Sequence, residues 1–304
     1  MKMKIVRLKC FSYSDTEKTE WESALFHPIK DYKFSVMTKD GLTIECATFE
    51  LIEGGKHEVH ACVSSQAGCK FGCKFCTSGK HGFVRNLSAE EIEEQIHLMA
   101  KHFGIQSFDH VVYMGIGEPL DNLENVGQSI SSIVKANPWY SGKISLCTAG
   151  VTDSFNRLLE LKLPLRYMWL SLHAATDNKR RLIMPIAKLN GIDQLINTVG
   201  DFSDKSGIPT CVNYMILHGF NDLDEDVISL TKLLGQTTSR LKLMITIPNG
   251  SIEGYKSGTK EDTKNFQQRL VEAGIKNRIV RFLSAGRPVN AGCGELIFIP
   301  QNHK

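Results

Sequence analysis

The stretch "HACVSSQAGCKFGCKFCTSGKHGF", residues 60–83, places four cysteines within fifteen positions. Cys69, Cys73 and Cys76 have the spacing C-x3-C-x2-C, while Cys62, seven residues upstream, fits no ligand pattern. An apolar run at 59–63 leads into the stretch. Similar runs follow at "HVVYMGI" (110–116), "KISLCT" (143–148), "RYMWLSL" (166–172), "PTCVNYMIL" (209–217), "LKLMITI" (241–247) and "RIVRFLS" (278–284). Between most of them lie segments with helical apolar spacing, roughly 122–136, 152–161, 190–204, 222–235 and 261–274. One more opens with the capping box Ser88-x-x-Glu91. Strands that alternate with helices imply βαβ units around a parallel sheet. Six such units predict an α/β fold closing into a barrel or partial (βα)6 barrel. In that architecture chemistry sits in the loops after the strands' C-terminal ends. The thiol triplet occupies the loop after the first barrel strand.

Residues 31–51, "DYKFSVMTKDGLTIECATFEL", read as two strands around a Lys-Asp-Gly turn, a hairpin. The expected organisation is a short extension over 1–54 that carries the hairpin, then a core barrel with a C-terminal segment over 55–304. A chain of 304 residues can bury a large core. Its 42% hydrophobic and 23% charged residues are ordinary for a soluble globular protein. Lys and Arg number 36 against 33 Asp and Glu, too mild an excess to imply nucleic acid by itself. The sequence has no apolar run of membrane length, and its basic start lacks the apolar core of a signal peptide. A cytoplasmic location with no membrane partner is expected. In that compartment nine cysteines do not suit a disulfide framework. The scattered Cys10, Cys46, Cys147 and Cys211 read as small buried hydrophobes.

Three thiolates on a tight loop suit three corners of a [4Fe–4S] cluster, leaving the fourth iron open to a small molecule. A structural zinc ion is the alternative, with Cys62 or a histidine as its fourth ligand. At these residues the sequence resembles the radical S-adenosylmethionine (SAM) superfamily. There SAM chelates the open iron, and an electron from the cluster splits it into methionine and a 5′-deoxyadenosyl radical. "MGIGEPLDN" (114–122), after the second strand, matches the segment that contacts the SAM amino group.

The resemblance narrows over about residues 40–296. "CVSSQAGC", "GFVRNLSAEEI", "MGIGEPLDN", "SLHAATD" (171–177), "GFND" (219–222) and "NAGCGEL" (290–296) occur in that order. Together they resemble the RlmN/Cfr family, which methylates adenine in ribosomal and transfer RNA. The resemblance implies that Cys69, Cys73 and Cys76 ligate the cluster. It implies SAM contacts from Gly117, Glu118, the Ser171-Leu172-His173 segment and Asn249. Cys293 matches the methyl-carrying cysteine, Cys62 the second mechanistic cysteine, and Glu45 a proton acceptor. Adenine C2 and C8 are electron-poor, so polar transfer from a sulfonium methyl does not reach them. By the family's route, Cys293 is methylated by one SAM, and the radical from a second takes hydrogen from that S-methyl. The resulting carbon adds to adenine. Cys62 then attacks the Cys293 sulfur, releasing the base and leaving a Cys62–Cys293 disulfide, which requires both sulfurs within bonding reach. Flavodoxin or ferredoxin is the expected kind of reducing partner.

Each residue has a plainer alternative. Cys62, Cys293 and His173 read alone as buried core residues, and Glu45 as a solvated hairpin carboxylate. The chain also departs from the family pattern. Only about 40 residues precede the region of resemblance, where the family carries an extra N-terminal helical domain. Cys147 stands where a serine near the SAM ribose is expected, with Thr148 as a substitute contact. Pro288 and Glu295 replace an acid and an amide. RNA remains the expected substrate, with a nucleotide or other small molecule as the alternative. Lys70, Lys74, Lys80, His81 and Arg85, interleaved with phenylalanines, and "NKRR" at 178–181 are expected to hold phosphates and bases at the barrel mouth. A non-catalytic zinc- or cluster-binding interaction protein is the reading from another class.

Overall fold

The apolar runs become neighbouring strands of one sheet. The computed structural model describes residues 3–14, 26–237, 241–248, 252–282, 286–292 and 294–297. The strands in chain order are β1 (Lys4–Ser12), β2 (Phe26–Met37), β3 (Thr43–Glu53), β4 (Lys56–Cys62), β5 (Gln66–Gly68), β6 (Phe83–Asn86) and β7 (His110–Tyr113). Then come β8 (Ile144–Thr148), β9 (Leu165–Ser171), β10 (Thr210–Met215), β11 (Leu217–His218), β12 (Leu241–Thr246), β13 (Lys256–Ser257) and β14 (Ile279–Arg281). Ten of them form a sheet in the order β1-β2-β3-β4-β7-β8-β9-β10-β12-β14. Pairing is antiparallel from β1 to β4 and parallel from β4 to β14. Helices fill the six crossovers between the parallel strands, as βαβ connections require. The α/β fold with a mostly parallel sheet is therefore the expected one.

Local chemistry sets the element boundaries. Ser88 and Glu91 form the reciprocal capping box at the start of helix Ala89–Phe103. That helix buries Ile92, Ile96 and Met99 on one face and ends at Gly104 in the left-handed conformation. The hairpin is β2–β3, turning through Lys39-Asp40-Gly41. Strand β1 was not expected from the sequence. It pairs with β2 as an edge strand, with Lys4, Arg7, Lys9 and Cys10 exposed. Lysines on an edge discourage pairing with other chains. The exposure of Cys10 corrects its reading as a buried hydrophobe; Cys46 and Cys211 are buried as expected.

The C-terminal segment returns to the extension and to the thiol loop. Gly286 N–H donates to Asp31 Oδ2 (2.9 Å) on β2, and Ile297 N–H to Glu45 Oε2 (2.9 Å) on β3. Thr77 N–H donates to Gly294 O (2.7 Å), and Ser78 Oγ–H to Leu296 O (2.6 Å). No helix among the described residues is long and apolar enough to cross a membrane.

Candidate active site

The thiol loop is held by its own backbone. Cys69 N–H donates to Gly82 O (2.8 Å), Lys74 N–H to Ile183 O (3.0 Å) and Cys76 N–H to Cys73 O (3.0 Å). Gly68 enters the loop with φ +82°, and a Cβ there would stand 2.0 Å from Gly82 O. Only glycine fits that approach. The three Sγ atoms do not all lie within 4.8 Å of one another. Among the described residues, Glu53–Glu58–His60 and His218–Asp222–Asp262 are the groups drawn that tightly. Three thiolates sharing one zinc ion at about 2.3 Å each would stand closer. Three thiols on one short loop that open onto a common cavity suit separate corners of a cluster. Burial pushes the Cys69 thiol up to about 12 and raises Cys73 further, so loading a metal centre there releases protons.

The thiols open onto a cavity of about 230 Å³ at the C-terminal ends of the strands. Gly117, Glu118, Cys147, Thr148, Ser171 and His173 line it with them. Gly117 has φ +101°, and a Cβ would meet the Gln66 side chain at 2.5 Å. Glu118 is buried and accepts from Ala149 N–H (2.7 Å) and Leu120 N–H (3.1 Å). Burial raises its carboxyl to about 7 despite those bonds. The group suits an ammonium ligand, which would favour its charged form. His173 has φ +58° and is buried; burial, and then the Arg180 guanidinium, lower its ring to about 3. Its Nδ1 accepts from Met215 N–H (3.2 Å), so the neutral ring carries its proton on Nε2. Cys147 Sγ lies 3.8 Å from Ser171 Oγ. Leu172 points into the core, and its N–H donates to Asn213 O (3.0 Å). Asn249 and Cys293 lie outside the described residues.

A second cavity, about 370 Å³, fills the lumen between the strands. Cys62, buried at the end of β4, lines it together with Ala291, Gly292 and Leu296 of the C-terminal segment. Met114, Asn213 and Phe282 line both cavities, which therefore adjoin. Glu45 is buried, which excludes the solvated hairpin carboxylate. It pairs with Lys33 (Nζ–Oε2 3.1 Å) and lines a third, polar cavity with Arg7, Lys9, Thr77 and Asn290.

The cations expected at the mouth are mostly engaged. Lys70 pairs with Asp121, Arg85 with Asp40 and Glu91, and Lys179 with Glu225 and Asp226. Arg180 is buried and donates to the carbonyls of Ala149 (2.6 Å), Leu172 (3.2 Å) and Ser171 (3.2 Å). It braces the ends of β8 and β9 rather than meeting a phosphate. Its charge within "NKRR" concealed that role, because burial of an arginine leaves no mark in the sequence.

A C-x3-C-x2-C loop at the mouth of parallel strands defines a class, and residues 63–231, more than half of the chain, match the model of the radical SAM superfamily. The crystal structure of a radical SAM methyltransferase from Sphaerobacter thermophilus has the same fold, with a TM-score of 0.81 over 97% of this chain and 81% of that one, at 24% identity. A probable dual-specificity RNA methyltransferase RlmN of Pseudothermotoga lettingae is 35% identical over 273 residues, covering 88% of this chain and 76% of the relative. The dual-specificity RNA methyltransferase RlmN of Campylobacter fetus is 36% identical over 278 residues, with 87% and 77% covered. The chain belongs to the RlmN family within the radical SAM superfamily. A [4Fe–4S] cluster and SAM come with that membership.

Proposed function

We propose that the chain methylates C2 or C8 of adenine in RNA by radical SAM chemistry, through a methyl group carried on Cys293. The relatives' names support RNA as substrate. One observation carries the two-cysteine reading: Cys62 lines the same cavity as Gly292, and that cavity adjoins the one onto which the three thiols open. Cys69, Cys73 and Cys76 hold the cluster. Gly117, Glu118, Cys147, Thr148, Ser171, Leu172, His173 and Asn249 hold SAM, Leu172 through its backbone. When bound, these cofactors supply the methyl group and a hydrogen-abstracting radical.

The chain's own residues do the rest. The Cys293 sulfur takes the methyl group and, through that carbon, becomes bonded to the base. The Cys62 thiolate then attacks this sulfur and breaks its bond to the carbon, so that a Cys62–Cys293 disulfide forms and the released methylene on the base takes up a proton to become the methyl group. Glu45 is assigned the proton acceptor, its charge balanced by Lys33 (3.1 Å). Residues 1–54 act as an extension that anchors the C-terminal segment through Asp31 and Glu45. A one-electron donor such as flavodoxin or ferredoxin reduces the cluster, in the cytoplasm.

Mass spectrometry of nucleosides from cells with and without the protein tests the reading. A methylated adenosine that disappears with the gene supports it; identical nucleosides refute it. In the purified enzyme, Cys69→Ala, Cys73→Ala or Cys76→Ala should remove bound iron and sulfide and abolish 5′-deoxyadenosine formation.

A further inference from the structure

Arg7 and Lys9 stand two residues apart on edge strand β1 and so point to one face of the sheet. Across the register, Lys9 pairs with Lys33 on β2, Lys33 with Ala47 on β3, and Ala47 with Cys62 on β4. The next row is Arg7, Ser35 and Glu45. The two cations therefore lie on the face that carries Cys62 and looks into the lumen. With Lys33, Ser35 and Glu45 they line the polar cavity, about 300 Å³ in volume. Lys9 faces Lys33 directly, and like charges opposite one another destabilise a sheet. Glu45 balances Lys33 at 3.1 Å, which leaves Arg7 and Lys9 with no carboxylate partner among the described residues. Ser35 is only 5% exposed, yet its hydroxyl makes no hydrogen bond among the described residues. Edge protection accounts for cations on β1, but not for two of them on the lumen face beside a third.

We infer that this cavity is a phosphate site for the RNA backbone beside the target adenine, with Arg7 and Lys9 as its charged contacts and Ser35 Oγ–H as a further donor. The inference rests on the methyltransferase reading above. Guanidinium, ammonium and hydroxyl groups are the donors that backbone phosphates take. Neighbouring strands stand about 4.8 Å apart, so the Lys9 backbone lies roughly 14 Å from that of Cys62 along their row. A lysine or arginine side chain spans much of that distance, so phosphates flanking a base held beside Cys62 fall within reach. Glu45 and Glu295 also line the cavity, which puts the phosphate on its β1 side. Glu295 is occupied by Gly292 N–H (2.9 Å). Thr77 and Glu295 line the thiol cavity as well, whereas Arg7 and Lys9 do not, which separates the two cations from the SAM contacts. Lys70, Arg85 and Lys179 are paired with acids, so β1 supplies uncommitted charge beside the site.

The test titrates the full, cluster-loaded enzyme with a fluorescent fragment of the RNA that it methylates, over a range of salt. For single strands, log K falls with log salt by about 0.7 per phosphate contact. Arg7→Gln and Lys9→Gln should each reduce that slope by about 0.7, which weakens binding about fivefold at ~0.1 M salt. The double variant should lose about twice the slope and bind roughly 25-fold more weakly. Arg7→Lys and Lys9→Arg keep the charge and should keep the slope. KM for the RNA should rise with kcat little changed, because a backbone contact is equal in the ground and transition states. SAM affinity should stay at the wild-type level. Both positions are exposed, so the neutral variants should fold. Lys135→Gln, exposed in the last turn of helix Leu123–Ala136 and outside the cavity, is the control. A double variant with wild-type affinity and slope overturns this inference and leaves the methyltransferase reading standing. So does an equal loss in Lys135→Gln, which would show attraction by overall charge. So does a double variant that binds RNA normally but no longer binds adenosine monophosphate in calorimetry, which would give the cavity to a free nucleotide. Wild-type enzyme that methylates adenine in no RNA overturns both.

Discussion

Glu45 Oε2 accepts the backbone N–H of Ile297 at 2.9 Å, joining residues 252 positions apart, and the same oxygen stands 3.1 Å from Lys33 Nζ. Both side chains of the pair are buried. Removing one member of a buried ion pair costs about 3–5 kcal/mol, because the other charge stays buried alone. Glu45→Ala should therefore lower the unfolding free energy by about that amount in denaturant titrations. Adding Lys33→Met to Glu45→Ala should recover much of it. A single variant within about 0.5 kcal/mol of wild type would show that the pair does not hold the segment.

Asp31 gives the C-terminal segment a pH dependence. Its carboxyl is raised to about 6 by burial, against hydrogen bonds from Tyr13 O–H and Gly286 N–H. The folded value exceeds the unfolded one. Between about pH 4 and 6 the folded chain thus holds a proton that the unfolded chain has released, and stability falls as pH rises through that window. Asp31→Asn should flatten this part of the pH–stability curve by up to about 3 kcal/mol. Parallel curves for the two proteins would contradict the assignment.

Arg180 holds three carbonyl oxygens where β8 and β9 end. Arg180→Met fills the volume but leaves Ala149, Ser171 and Leu172 without that donor. Hydrogen bonds to a charged group contribute about 1.5–3 kcal/mol each, so a loss of at least about 3 kcal/mol is expected. SAM affinity should drop with it, because Ser171 and His173 line the thiol cavity. Calorimetry and SAM titration of Arg180→Met check both; unchanged SAM binding would separate the brace from the site.

Much of this molecule was legible in the sequence, for identifiable reasons. The seven parallel strands were visible because each is a short apolar run, and helical patterns lie between most of them. The thiol loop was visible because its ligands lie close together in the chain. Strand β1 escaped because an exposed edge strand with lysine and arginine has no clean apolar alternation. The ion pairs of the basic segments were not legible because charge in a sequence does not show its partner: Lys70, Arg85 and Lys179 pair with acids 6 to 51 positions away.

The central claim is that Cys62 resolves a covalent protein–RNA adduct on Cys293, and purification of Cys62→Ala from cells tests it most directly. The variant should keep its cluster, cleave SAM and methylate Cys293. It should then carry RNA that survives denaturant, is removed by nuclease, and leaves a modified adenosine on the Cys293 peptide. Cys62→Ala enzyme with ordinary turnover and no trapped RNA would contradict the two-cysteine account, even with the cluster and SAM cleavage intact.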